Sequence, residues 1–181
     1  FSDDRRFPAL LDEAVRKADV RFGPITLAGW SAGCGAIRGL LRQPATVARI
    51  DSVLAVDGIH SGYTNGKPGP LESEIDIAPL EPWVAFAREA MAGRKRLLVL
   101  HTEIFPGTFA STTETADWLV RTLGLKRRAV LEWGPMQTQR LSDAKAGQLR
   151  IQGYAGNSAP DHVDLLHALP DLLRMLWRLE P

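Results

Sequence analysis

The stretch Ile25-Thr26-Leu27-Ala28-Gly29-Trp30-Ser31-Ala32-Gly33, continued by Cys34-Gly35-Ala36-Ile37-Arg38-Gly39-Leu40-Leu41-Arg42, decides how the chain is read. Its first four residues form a short apolar run that predicts a buried strand. The residues after Gly33 predict a helix ending before Pro44. Between the two stands Gly-x-Ser-x-Gly. Strand, sharp turn and helix in that order lift a serine hydroxyl into the open on a strained corner, where it can serve as a nucleophile. Both glycines are expected to relieve crowding, because a Cβ at Gly29 or Gly33 would meet the neighbouring strand or helix. The helix start also aims amide N–H groups at any anion forming beside Ser31.

The pattern extends in both directions. Phe7, Leu10, Leu11, Ala14, Val15 and Ala18 lie on one stripe of a predicted helix. After a Pro44-Ala45-Thr46 turn segment, Ser52-Val53-Leu54-Ala55-Val56 reads as a buried parallel strand ending at Asp57-Gly58. Residues 58 to 79 show no periodicity and read as a long functional or mobile loop. Leu80, Trp83, Val84, Ala87 and Met91 mark a helix, and Leu97 to His101 the next strand. Ser111 and Glu114 fit a capping box that opens a helix carrying Ala116, Leu119, Val120 and Leu123. Ala129 to Trp133 and Gln148 to Gly153 are further strand candidates, and a helical stretch from Asp161, broken at Pro170, closes the chain. Strands alternating with helices imply an α/β fold, one domain over residues 1–181, with a mainly parallel sheet and helices on both faces.

With 181 residues, 45% of them hydrophobic and 24% charged, the chain can bury one core. A net charge of +1 argues against nucleic acid as a partner, and no apolar run is long enough to span a membrane. Cys34, the single cysteine, excludes an internal disulfide and is expected to fill space in the core. The chain has no His-Glu-x-x-His, no cysteine pair and no glycine-rich phosphate loop, so neither a metal nor a nucleotide cofactor is implied. The first residue is Phe1, which leaves targeting and localisation open.

On the Gly29–Gly33 elbow and the order of its elements, the chain resembles the α/β-hydrolases, a family of esterases, lipases, thioesterases and peptidases. As an order of elements the resemblance covers nearly the whole chain; residue by residue it is confined to the elbow. In that family the elbow follows the fifth strand, whereas only 30 residues precede Ser31 here. The early strands are therefore expected to be missing from this chain and supplied by an N-terminal segment or a partner chain that completes the sheet.

The resemblance also implies the order Ser, acid, His and a base in the loop between the last strand and last helix. His162, in Gly156-Asn157-Ser158-Ala159-Pro160-Asp161-His162, occupies that place. The acid is left between Asp57, at the end of one strand, and Glu103, in the loop after the next. Glu114, Asp161 and Asp164 are more simply capping or first-turn charges. The Ala32 N–H would be one oxyanion donor; the second would come from a region this sequence does not contain. Trp30, His60 and His101 are candidate walls of a substrate pocket. The expected activity is hydrolysis of a small-molecule ester or thioester through an acyl-enzyme on Ser31, with His162 as general base. An acyltransferase, a peptidase and a non-catalytic binding protein with the same fold are the alternatives.

Overall fold

The computed structural model describes residues 3, 5–19, 21–66 and 74–179. Part of the long loop expected between 58 and 79 thus lies outside the described residues. In chain order the elements are α1 (Arg6–Ala18), β1 (Thr26–Trp30), α2 (Gly33–Leu41), α3 (Pro44–Arg49), β2 (Ser52–Val56), α4 (Glu81–Met91) and β3 (Arg96–His101). They are followed by α5 (Thr112–Thr122), β4 (Arg128–Trp133), β5 (Gln139–Ala146), β6 (Leu149–Tyr154), α6 (Ala159–His167) and α7 (Leu169–Trp177).

The strands form one sheet in the order β1-β2-β3-β6-β5-β4. β1, β2, β3 and β6 run parallel; β5 pairs antiparallel with β6, and the edge strand β4 pairs antiparallel with β5. Every residue of β2 is buried, which is why its sequence is continuously apolar instead of alternating. Its side chains nevertheless divide between two layers, because successive Cβ atoms leave opposite faces of a strand. Val53, Ala55, Leu97, Val99 and Ile151 pack with Ile37, Trp83, Phe86 and Leu119 of α2, α4 and α5. Leu54, Val56, Leu98, Leu100 and Tyr154 pack with Leu165, Leu172 and Leu176 of α6 and α7. The fold is thus α/β, a six-stranded, mostly parallel sheet covered on both faces. Among the described residues, no helix is long and apolar enough to cross a membrane.

Some local expectations need correction, and one strand is not anticipated by the sequence. Pro44-Ala45-Thr46 is the first turn of α3 rather than a loop, since proline's missing N–H costs nothing at a helix start. β5 carries Gln139, Arg140, Ser142, Asp143 and Lys145, so no hydrophobic period announces it; two-sided pairing to β4 and β6 makes it a strand. The stripe on α1 is not buried: Leu10 is 60% exposed, and Phe7 alone of the six packs against the main core. α1 rests on α3 instead, where Arg49 donates to the Asp12 carboxylate and the Pro8 carbonyl. At the other end of the chain α6 and α7 meet at Ala168, with Pro170 in the first turn of α7, as the sequence predicts. β1 is not the buried strand the sequence predicts: only Gly29 of it is buried and Ala28 is exposed, because it is an edge strand whose outer side pairs with no strand among the described residues.

Register sets the geometry at the carboxyl end of the sheet. Trp30 lies beside Val56, and Val56 beside Leu100. The ladder then runs one residue past each strand: the Ser31 N–H donates to Val56 O at 3.0 Å, and the Asp57 N–H to Leu100 O at 2.8 Å. Ser31, Asp57 and the chain leaving β3 are therefore side by side. Gly58 makes this approach possible, because a Cβ there would lie 2.2 Å from Ser31 O and 2.8 Å from Ser31 N. At Gly29 a Cβ would meet Ile37 Cδ1 at 2.8 Å, as expected of the first elbow glycine. Gly33 has nothing within 4 Å, so the second does not relieve crowding; α2 has already turned away.

Gly58→Ala is expected to lower stability by about 1–3 kcal/mol through overpacking against backbone. Gly33→Ala, at an open helix position, should be neutral or stabilising by up to about 1 kcal/mol. Urea titrations of both variants test the pair; equal losses would contradict the close approach at Gly58.

Candidate active site

Ser31 stands at φ 52°, in the left-handed region that a side chain adopts only under constraint, and so does Asp57 at φ 45°. Such positions cost on the order of 1–3 kcal/mol each and persist where the surroundings over-determine them. Here the ladder bonds to Val56 and Leu100 do so. α2 begins directly after the elbow, with exposed Ala32 at its N-terminus; the Cys34 N–H is bonded to Ser31 O at 3.0 Å and the Gly35 N–H to Ala32 O at 2.9 Å, which leaves the Ala32 and Gly33 amides at the helix start. Among the described residues the Ser31 hydroxyl has no hydrogen-bond partner.

The Asp57 side chain is 2% exposed, yet every lone-pair direction it needs is filled. Oδ1 accepts from the Thr102 N–H at 2.9 Å and the Thr112 hydroxyl at 2.6 Å. Oδ2 accepts from the Thr102 hydroxyl at 2.7 Å and from His162 Nδ1 at 2.6 Å. Burial alone would raise its pKa, but the donors from Thr112, Thr102 and His162 outweigh it and hold the carboxyl below its ordinary value. An ionised carboxylate only accepts, so Nδ1 of His162 carries the proton and Nε2 is left as the basic nitrogen. Trp30 holds the imidazole from behind: its Nε1 donates to the His162 carbonyl at 2.9 Å, and the two rings lie 4.4 Å apart.

Ser31, Asp57 and His162 share the wall of a cavity of about 270 Å³ with His60, Ile104, Pro106, Phe109, Thr112 and Ala159. Of the sequence candidates, Ser31, His162, Asp57 and His60 are thus brought together, with Ala32 adjoining. Glu103 is not: its side chain is exposed, and its N–H is tied to Gly156 O at 2.9 Å. Glu114 completes the capping box of α5 and takes the Tyr63 hydroxyl, while Asp161 accepts from Ser158 at the start of α6. Trp30 backs the histidine rather than lining the cavity, a correction to its expected place.

His101 also departs from expectation. It is buried away from the cavity, where Nε2 accepts from Arg127 Nη1 at 3.0 Å and Nδ1 faces Thr113 Oγ1 at 3.2 Å. An arginine cannot give up its proton, so this ring is locked neutral with the proton on Nδ1. Cys34 is buried and donates to Gly29 O; burial pushes its thiol up to about 12, so it is no nucleophile at neutral pH.

Thr102, Thr112 and Gly58 were not singled out by sequence reasoning. Asp57-Gly58 at a strand end was visible as a turn; nothing in the sequence distinguishes the two threonines from others in a Ser/Thr-rich loop. No family model matches the chain, and neither a curated protein nor a solved structure matches it.

Burial and Arg127 lower the pKa of His101 from 6.5 to about 4 in the folded protein. Its neutral form therefore stabilises the fold fully above pH 6.5, and the contribution is lost as pH falls from 6.5 towards 4. The loss amounts to about 3 kcal/mol. Urea titrations across that window should show it, and His101→Gln should flatten the slope. An unaltered slope in the variant would remove His101 as the source.

Proposed function

We propose that this protein is a serine hydrolase of the α/β-hydrolase type that cleaves a small-molecule ester or thioester. One observation carries the reading: Ser31, at a strained strand-to-helix elbow, shares a cavity with a histidine whose Nδ1 is held by a buried, ionised carboxylate.

In this reading His162 Nε2 takes the Ser31 hydroxyl proton as Oγ attacks the substrate carbonyl. That contact closes when substrate fills the cavity, as catalytic hydrogen bonds are often unmade in the free enzyme. The Ala32 N–H and the start of α2 stabilise the oxyanion. His162 then gives its proton to the departing oxygen or sulfur, the bond to the carbonyl carbon breaks, and the acyl group remains on Ser31. Water attacks this ester while His162 removes its proton; collapse releases the acid and returns the proton to Ser31. Asp57 stays ionised throughout and stabilises the imidazolium. The outer side of β1, unpaired among the described residues, is where a further strand would complete the sheet and carry a second oxyanion donor.

Ser31→Ala should abolish turnover of p-nitrophenyl esters and labelling by a fluorophosphonate, with an unchanged circular dichroism spectrum. Turnover that survives in the purified variant would rule out the serine mechanism. An unlabelled but folded native protein would favour the binding-protein alternative.

Asp57→Asn should reduce kcat by about 10²–10⁴-fold, because the wrong imidazole tautomer is then favoured. Glu103→Gln should cost little. The opposite ranking would move the acid to the loop after β3.

A further inference from the structure

Beyond the triad and Thr112, which donates to Asp57, the cavity wall carries one more polar side chain, that of His60. His60 lies two residues beyond Gly58, the glycine packed on the Ser31 backbone. Its ring stands edge-on to Phe109, 5.2 Å between centroids, and its carbonyl accepts from Arg38 Nη1 at 3.4 Å. Nδ1 of this ring is buried without a hydrogen-bond partner among the described residues. A buried N–H lacking an acceptor costs more than an unfilled lone pair, so the proton belongs on Nε2, the nitrogen open to the cavity. Burial also holds the ring below its ordinary pKa; His162 and Arg38 act in the same direction and Asp57 against them. The imidazole is therefore neutral at neutral pH, and it presents a single N–H.

The rest of the wall outside the triad and Thr112 is Ile104, Pro106, Phe109 and Ala159, whose side chains accept no hydrogen bond, and among the described residues the His60 ring makes none. In the serine hydrolase reading the acyl group becomes joined to Ser31, which lines the same cavity as His60. An apolar acyl chain filling the cavity would desolvate the N–H and leave it unpaired. An acyl oxygen would pair it, and such sites discriminate strongly against analogues lacking the polar group. A carboxylate in that position would face the negative charge of Asp57, whose field reaches the His60 ring.

We propose that His60 is a substrate-recognition residue whose Nε2–H donates to an uncharged oxygen on the acyl group, so that the preferred substrates are esters of short hydroxy or oxo acids. The proposal rests on the serine hydrolase reading. It is tested by kcat/KM for p-nitrophenyl 3-hydroxybutyrate against p-nitrophenyl butyrate, each corrected for its alkaline hydrolysis rate. The native protein should prefer the hydroxy ester by about tenfold or more. His60→Leu should bring the ratio near one, and His60→Gln, whose side-chain amide supplies an N–H at similar reach, should restore most of it. A native ratio near one, or a ratio unchanged in His60→Leu, overturns the role of His60. Fluorophosphonate labelling separates the two levels: a labelled protein without selectivity refutes this inference alone. An unlabelled protein that turns over neither ester refutes the hydrolase reading and this inference with it.

Discussion

A carboxylate that is only 2% exposed must be fully hydrogen-bonded or give up its charge, and Asp57 keeps its charge. Its four donors come from three places distant in sequence: the end of β3, the first residue of α5 and the first turns of α6. Each of those segments is consequently tied to one point at the carboxyl end of β2. Removing any one donor would leave a buried charge under-satisfied, a penalty larger than the bond's own net contribution. This makes the carboxylate a structural constraint as well as the group that orients His162.

The second constraint is backbone strain. Ser31 and Asp57 both occupy left-handed conformations, and they are neighbours across a parallel ladder. Two such residues in contact destabilise the chain locally, and the cost is offset by β2 and β3, whose side chains are buried on both faces. Gly58 lets the two strained turns come within contact distance; any side chain there would collide with the Ser31 backbone.

The histidines show how far environment outweighs residue type. His162 donates to a buried anion, His101 accepts from an arginine, and His60 has one nitrogen buried without a partner among the described residues. Proton position differs accordingly: Nδ1 in His162 and His101, Nε2 in His60. None of these states follows from the spacing of histidines in the chain. The partners lie from 26 residues away for Arg127 to 105 for Asp57, and only folding brings them into reach.

Local sequence determined what short-range physics controls. The apolar run before Gly29, the five-residue run of β2, the Ser111–Glu114 capping box and the break at Pro170 all declare themselves within a few residues. Each depends on steric or hydrogen-bonding preferences that a segment carries with it. Strand β5 and the surroundings of Asp57 and His101 were decided by tertiary structure alone. β5 is polar and becomes a strand because two neighbours pair with it, so its sequence holds no period to read. That Asp57 and not Glu103 lies against His162 follows from the β2–β3 register and the docking of α6. That is a long-range consequence of packing, and the amino acids flanking either acid do not encode it.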